Sequence, residues 1–198
     1  MRGSLKTLGV DDGYFPVNYK KSNKKTLLVA ALCEGIKLIN VKLSLITVDG
    51  LDGSDVVTKI IKSLGEDISI VFLDGVTYAG FNVVDPEIIL KETSVPVITI
   101  FKHPLNLDKV KEALIRNFND WMIRYNTIKK VYSNVRAINT PNGKLLISLW
   151  GINDSEAYNA IVKLQNISQH PEPLRIADVI ASGLTKSTPL LSYLNKDC

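Results

Sequence analysis

The stretch ISIVFLDGVTYAGFNVVD, residues 68–85, decides the fold class of this chain. Residues 68–74 form a continuous apolar run that ends on Asp74, as expected of a strand that is covered on both faces of a sheet. Open α/β folds bind their ligands at the carboxyl ends of parallel strands, so the sequence predicts Asp74 at such a rim. The alternative is an ordinary Asp-Gly turn after a strand.

Apolar strands and amphipathic helices alternate on both sides of this stretch. The pattern predicts further strands over 5–11, 26–35, 36–48 and 95–101. It predicts helices over 54–65, 86–93, 106–118, 155–166 and 174–182, a short segment around Trp121, and a hairpin of 128–139 with 144–150 around Asn142-Gly143. Such an order is typical of a mixed α/β sheet with helices on both faces, and we expect one domain over residues 1–198.

Composition excludes several classes of protein. The chain has 198 residues, of which 45% are hydrophobic and 22% charged, as in ordinary globular proteins. No run approaches the roughly 20 apolar residues of a membrane helix, and the first residues lack the apolar core of a signal peptide. We therefore expect a soluble cytoplasmic protein without a membrane partner. The net charge of +4 permits a polyanionic partner, and lysines cluster at 20–25.

Carboxylates gather where the predicted strands end. Asp11 and Asp12 end the first strand, Asp74 ends another, and Asp52 and Asp55 follow a third. If these strands are neighbours, the carboxylates converge on one edge of the sheet, where hard oxygen ligands favour Mg²⁺ or Mn²⁺. The alternative is that aspartate is common in turns. His103 and His170 each precede a proline and match no metal or triad spacing.

Three stretches resemble a known family over nearly the whole chain. LKTLGVDDGYF (5–15), FLDGVTYAGFNVVD (72–85) and HPEPLRIADVIASGL (170–184) are similar to archaeal proteins of unknown function, which in turn resemble endonuclease V of the ribonuclease H-like superfamily. The resemblance implies a ribonuclease H-like, endonuclease V-like mixed sheet with helices on both faces. It also implies a metal-dependent nuclease activity on nucleic acid.

The resemblance also implies roles for particular residues. Gly9-Val10-Asp11 and Leu73-Asp74-Gly75 match the strands that carry the metal carboxylates of endonuclease V, and Phe101-Lys102 matches its Ala-Lys motif. The resemblance thus identifies Asp11, Asp74 and Lys102 as catalytic residues, with Asp11 and Asp74 as metal ligands. The third carboxylate, a glutamate in endonuclease V, is replaced here by Asp52 or Asp55.

The start of the last helix and the loop after Asp74 provide the remaining candidates. The segment 171–178, which contains Arg175 and Asp178, matches the Pro-Glu-Pro-x-Arg-x-Ala-Asp start of a helix in endonuclease V. We expect this helix to pack Leu174, Ala177, Val179 and Ile180 against the sheet. The loop lies where endonuclease V builds its pocket, and its aromatic and amide side chains can stack on a base or hydrogen-bond it. The substrate-binding candidates are Asp12, Gly75, Thr77, Tyr78, Phe81, Asn82 and Arg175.

Three functions remain open at this point. The first is a phosphodiesterase or endonuclease that uses Mg²⁺ or Mn²⁺ and acts on nucleic acid. The second is a binder of nucleic acid or nucleotides that kept the fold and lost the chemistry, since the segment 148–152 lacks the histidine that endonuclease V has in the matching turn. The third is an unrelated small-molecule enzyme on the same scaffold. The retained Asp11, Asp74 and Lys102 favour the first.

Overall fold

A seven-stranded mixed sheet organises the chain in a computed structural model that describes residues 5–65, 67–186 and 190–195. The strands are β1 (Lys6–Asp12), β2 (Lys25–Glu34), β3 (Lys37–Thr47), β4 (Ile70–Asp74), β5 (Thr77–Tyr78), β6 (Asn82–Val83), β7 (Val97–Phe101), β8 (Arg136–Thr140) and β9 (Gly143–Trp150). The order in the large sheet is β3-β2-β1-β4-β7-β9-β8, while β5 and β6 form a separate two-stranded ribbon.

Three parallel strands form the centre of the sheet and antiparallel strands form its margins. β1 pairs with β4, and β4 with β7, in the parallel sense, whereas β2, β3, β9 and β8 are joined by antiparallel pairing. The carboxyl ends of β1, β4 and β7 therefore meet at one rim, as the sequence predicts for the ends of its apolar strands.

Helices cover both faces of the sheet. They are α1 (Gly53–Leu64), α2 (Pro86–Thr93), α3 (Leu107–Asn117), α4 (Trp121–Ser133), α5 (Asp154–Leu164), α6 (Glu172–Lys186) and α7 (Leu190–Leu194). One core lies between the sheet and the pair α1 and α2, and a second core lies between the sheet and the pair α5 and α6. The predicted mixed sheet with helices on both faces is confirmed. Within the described residues, no helix is long and apolar enough to cross a membrane.

Gly9 determines how closely α6 approaches the sheet. A Cβ atom built at Gly9 falls 2.2 Å from the carbonyl carbon of Pro173 and 2.3 Å from the amide nitrogen of Leu174. The first turn of α6 therefore lies directly on β1. Further along, the Thr185 hydroxyl accepts a hydrogen bond from the amide of Tyr14 at 2.8 Å, so α6 follows β1 from its middle to its end.

Three predictions about local structure are wrong. Residues 128–133 belong to α4 and not to a strand, because Ile128 and Val131 are three residues apart and face the core formed with α3. Gly183 lies inside α6, which continues to Lys186. Val179 is 55% exposed, and the buried face of α6 is formed by Leu174, Ala177 and Ala181.

Candidate active site

Asp11 and Asp74 stand side by side at the rim of the sheet. β1 and β4 are parallel neighbours, and Val10 is paired with Leu73, so Asp11 and Asp74 occupy the next register position. Phe72, which shares the face of Asp74, packs in the core beneath α5 and α6, and Gly9, which shares the face of Asp11, lies against α6. The two carboxylates therefore point to the same face, and the prediction that their strands are adjacent is confirmed.

Asp11 is 6% exposed, and its surroundings disfavour a negative charge. Burial raises the pKa of the Asp11 carboxyl to about 8, and the neighbouring charges of Asp74 and Asp12 add to this increase. The hydrogen bond from the Asp12 amide to Asp11 Oδ1, 2.9 Å long, and the charge of Lys102 act in the opposite direction. Without a further cation, a proton on Asp11 relieves the repulsion between these carboxylates.

Asp12 lies on the other face of β1 and still lines the same cavity. Its Oδ2 atom accepts a hydrogen bond from the amide of Ala79 at 2.8 Å, which ties β1 to the loop after β4. Burial raises the pKa of Asp12 to about 6, against the effect of this hydrogen bond. Asp12 therefore supports the loop and also adds negative charge to the cavity.

Lys102 supplies the positive charge of the site. It follows β7, and its Nζ atom lies 2.6 Å from Asp74 Oδ2. Burial alone lowers the pKa of Lys102, but the hydrogen bond to Asp74 and the charges of Asp74, Asp11 and Asp178 more than offset this, so the pKa is raised. Lys102 therefore stays protonated beside the carboxylates.

Asp178 is the site residue that sequence reasoning missed. It lies on α6 and lines the same cavity as Asp11 and Asp74. Its place follows from the contact of α6 with Gly9, since α6 then runs along β1 toward Asp11. The Pro-Glu-Pro-x-Arg-x-Ala-Asp motif contains Asp178, but the sequence alone directed attention to Arg175.

The carboxylates and Lys102 open into a cavity of about 580 Å³ with one polar and one apolar wall. The predicted residues Gly75, Thr77 and Phe81 also line it. Gly75 has a φ of 77°, a conformation that favours glycine, and its amide donates to the carbonyl of Ile100 at 2.8 Å. The other lining residues are Val76, Phe101, His103, Leu105, Val110 and Ile128.

The backbone of Phe81 is held on two sides, so its ring forms a fixed part of the apolar wall. Its amide donates to Asp49 Oδ1 at 2.9 Å, and its carbonyl accepts from Arg124 Nη1 at 2.7 Å. Arg124 is 4% exposed, and it also pairs with Asp120 at 2.8 Å and lies 4.3 Å from the ring centre of Phe118. Phe118 in turn contacts the Phe81 ring edge to face. No sequence motif indicated this role of Arg124.

The other predicted ligands and binding residues do not line the cavity. Asp55 is an exposed residue of α1. The carboxylate of Asp52 accepts hydrogen bonds from the amide and the hydroxyl of Thr47. Asn82 is fully buried and donates to Asp52 and to the carbonyl of Thr47, so it holds the start of α1 in place. Within the described ranges, no group of three or more His, Cys, Asp or Glu side chains is arranged to hold a metal ion.

Tyr78 and Arg175 also have structural partners. Tyr78 is fully buried, and its hydroxyl donates to the carbonyl of Val10 at 3.3 Å, so its ring lies behind the carboxylates and is not available for stacking. Burial, followed by the charges of Asp11 and Asp74, raises the pKa of this phenol. Arg175 pairs with the buried Glu172 at 2.5 Å at the start of α6.

His170 lies in the loop before α6, close to these charges. Burial lowers the pKa of its imidazole, and the charge of Lys102 lowers it further, while Asp74 and Asp178 act in the opposite direction. The surroundings of His170 therefore favour the neutral form of its imidazole.

Comparison with known proteins places this geometry in context. Residues 4–185 match the family described as Endonuclease dU. Similar relatives include the UPF0215 protein of Methanosarcina acetivorans, 36% identical over 189 residues that cover 93% of this chain and 92% of that protein. The UPF0215 protein of Pyrococcus horikoshii is 33% identical over 186 residues, 93% of this chain and 94% of that protein.

Solved structures share the fold. A crystal structure of a protein of unknown function from Archaeoglobus fulgidus has 25% sequence identity and a TM-score of 0.78, and the match covers 91% of this chain and 98% of that chain. Endonuclease V of Ciona intestinalis, in complex with a 24mer DNA containing an inosine followed by a ribo-adenosine, has 11% identity and a TM-score of 0.61, with coverage of 92% and 87%. The endonuclease V-like fold predicted from the sequence is confirmed.

Proposed function

The chain belongs to the endonuclease dU family, and we propose that it is a nuclease that hydrolyses phosphodiester bonds of nucleic acid with the help of Mg²⁺ or Mn²⁺. One observation carries the proposal. Asp11 and Asp74 occupy matching positions on adjacent strands, face the same cavity as Asp178, and have the protonated Lys102 beside them.

Asp11 and Asp74 are the candidate ligands for a divalent cation. They provide carboxylate oxygens, the ligand type that Mg²⁺ and Mn²⁺ prefer, and Asp178 lines the same cavity. The raised pKa of Asp11 reflects burial and neighbouring negative charge, which a cation between the carboxylates would relieve. When bound, such an ion supplies Lewis-acid stabilisation of the charge that develops on a phosphate.

The side chains of the chain itself have separate tasks in this proposal. Lys102 donates to a phosphate oxygen and stabilises its developing charge, because its ammonium already lies at the rim beside Asp74. Asp12 fixes the loop after β4 through the amide of Ala79, and so keeps Thr77 and Phe81 at the cavity. The apolar wall that contains Phe81 offers a surface to a base.

Basic residues near the rim support nucleic acid as the ligand. The loop after β1 carries Lys20, Lys21 and Lys24, and the Lys21 ammonium donates to Asn117 Oδ1 at 3.3 Å. Asn117 ends α3, whose Val110 lines the cavity. The lysine cluster therefore borders the same end of the sheet as the carboxylates, where it attracts the phosphate backbone.

A binder without catalytic activity is the second candidate. The observation in its favour is that Asp52 is engaged by Thr47 and Asn82 and does not join Asp11 and Asp74. A single experiment separates the two. Labelled single-stranded and duplex DNA and RNA, with and without inosine or uracil, are incubated with the protein and with Mg²⁺, Mn²⁺ or EDTA. Cleavage that requires the metal supports the nuclease; salt-sensitive binding without cleavage supports the binder; the absence of both contradicts both.

A further inference from the structure

A second, smaller cavity lies beside the acidic one at the end of β7. Its volume is about 270 Å³, and it shares Phe101, Lys102 and His103 with the acidic cavity. The remaining lining residues are Lys144, Leu145, Gln169 and His170. The two cavities therefore meet at Lys102.

The polar lining of this second cavity differs in charge from that of the first. Among the described residues it consists of two ammonium groups, of which Lys102 is paired with Asp74, two imidazoles and one amide, and it includes no carboxylate. All of these groups can donate hydrogen bonds. The acidic cavity contains four aspartates instead. A cavity of donors without a negative charge matches an anion.

The fold assembles these donors from three separate segments. β9 pairs with β7 so that Leu146 opposes Phe101, which places Lys144 opposite the residues that follow β7. Asn142 Nδ2 donates to the carbonyl of Ser168 at 3.1 Å and thereby ties the β8–β9 turn to the loop before α6. That loop carries Gln169 and His170, and it is closed by a bridge between Gln165 and Pro171.

His170 carries a buried ring nitrogen, Nε2, without a hydrogen-bond partner among the described residues. Buried polar atoms in native proteins almost always have a partner, so such an atom calls for an explanation. Because Nε2 has no such partner, the imidazole ring can rotate into the cavity without losing a hydrogen bond at this atom.

We propose that this cavity binds a phosphate group of a nucleic-acid strand, next to the phosphate that the acidic cavity cleaves. The assignment rests on the proposed function. Lys144 supplies a point charge to the phosphate oxygens, and Gln169 and His170 donate hydrogen bonds to them. Lys102 lines both cavities and therefore lies between this phosphate and the one that is cleaved.

The two histidines of the chain make the proposal testable by NMR, because both line this cavity. The imidazole proton resonances are followed during titration with inorganic phosphate, dimethyl phosphate and a single-stranded DNA oligonucleotide, and His103→Asn assigns the two signals. We expect saturable shifts of both signals with dimethyl phosphate and with the oligonucleotide. Lys144→Ala should weaken this binding about fivefold to tenfold. It should also reduce the salt slope of oligonucleotide binding, that is, the slope of log affinity against log salt concentration, by about 1.

Lys163→Ala is the matched control, since Lys163 is exposed on α5 and lines a different cavity. It should leave the shifts and the salt slope unchanged. Shifts with inorganic phosphate alone would overturn the assignment in favour of a site for free phosphate. The absence of shifts, or equal binding by wild type and Lys144→Ala, would overturn it outright. Oligonucleotide binding through Lys144 without any cleavage would support this site while refuting the nuclease.

Discussion

The ammonium of Lys102 lies 2.6 Å from Asp74 Oδ2, at the point where the ends of two neighbouring parallel strands meet. β4 and β7 bring the two residues together although 28 positions separate them in the chain. Asp74 belongs to the carboxylates of the acidic cavity, whereas Lys102 also lines the second cavity, which contains Lys144.

Replacement of Asp74 by Asn should abolish cleavage and spare binding. The variant removes one carboxylate oxygen ligand and one charge that repels phosphate, so we expect a cleavage rate at least about 100-fold lower and equal or tighter binding of an oligonucleotide. Gel assays and fluorescence anisotropy measure the two effects. Asp55→Asn is the control, because Asp55 is exposed on α1 and does not line the cavity. Normal cleavage by Asp74→Asn, or its loss in Asp55→Asn, would contradict the site.

The raised pKa of Asp11 predicts a pH-dependent stability in the absence of metal ions. Its folded value of about 8 exceeds the ordinary value of 3.8, so the folded state binds more protons than the unfolded state between these limits. The contribution of Asp11 to the free energy of unfolding therefore falls as the pH rises from about 4 to about 8. Asp11→Asn removes this contribution.

Thermal unfolding in EDTA at pH 5, 6, 7 and 8 measures the effect. The Tm of Asp11→Asn should exceed that of the wild type by about 4 °C or more at pH 8, and by less at pH 5. The comparison with wild type cancels other titrating groups, among them His170, whose lowered pKa acts in the opposite direction. Added Mg²⁺ should raise the Tm of the wild type and not that of the variant. If the Tm of the two proteins changed with pH in parallel, the result would show that burial does not raise the pKa of Asp11.

Gly9→Ala should disturb the contact between α6 and β1. The added methyl group would meet the backbone of Pro173 and Leu174, which cannot rotate away, and we expect a loss of about 3 kcal/mol or more of the free energy of unfolding. Cleavage should fall as well, because α6 carries Asp178. Urea denaturation measures the stability.

Gly183→Ala is the control for this substitution. Among the described residues, no atom outside the adjoining backbone of α6 lies within 4 Å of the added Cβ, so the change should stabilise the protein by about 0.5–1 kcal/mol. Equal effects of the two substitutions would refute the close approach at Gly9.

Arg124→Ala should destabilise the protein and loosen the apolar wall of the cavity. The variant leaves the carbonyls of Gly50 and Phe81 without their donor and Asp120 without its partner, at a cost of about 3–5 kcal/mol. Arg136→Ala removes an exposed pair with Asp154 and should cost about 0–1 kcal/mol. Chemical denaturation of both variants is the measurement, and similar losses for the two would show that Arg124 has no special structural role.

Replacement of Lys20, Lys21 and Lys24 by alanine should weaken the binding of nucleic acid and leave the metal site intact. Each phosphate contact that is lost reduces the salt slope of binding by about 1. Isothermal calorimetry with Mn²⁺ should give the same affinity for wild type and triple variant. Unchanged salt dependence would exclude the β1–β2 loop from the binding surface.

Much of the rim could be predicted because its residues end continuous apolar strands. Asp11 and Asp74 follow buried runs, and a buried run of that kind belongs in the middle of a parallel sheet, where neighbouring strand ends meet. Lys102 follows the third such run. By contrast, Asp52 and Asp55 follow β3, an edge strand, and the sequence did not show that two strands separate β3 from β4.

The sequence by itself therefore determined the class of sheet, the strand ends that meet at the rim, and four of the charged residues there, namely Asp11, Asp12, Asp74 and Lys102. Only the tertiary structure decided that Asp178 joins them, that Asn82 and Tyr78 are buried supports, and that Lys144 and His170 form a second cavity beside Lys102. The physical reason is the range of the interactions. Hydrophobic periodicity reports contacts within one strand or helix, whereas these positions depend on how closely α6 can approach Gly9 and on which strand pairs with β7.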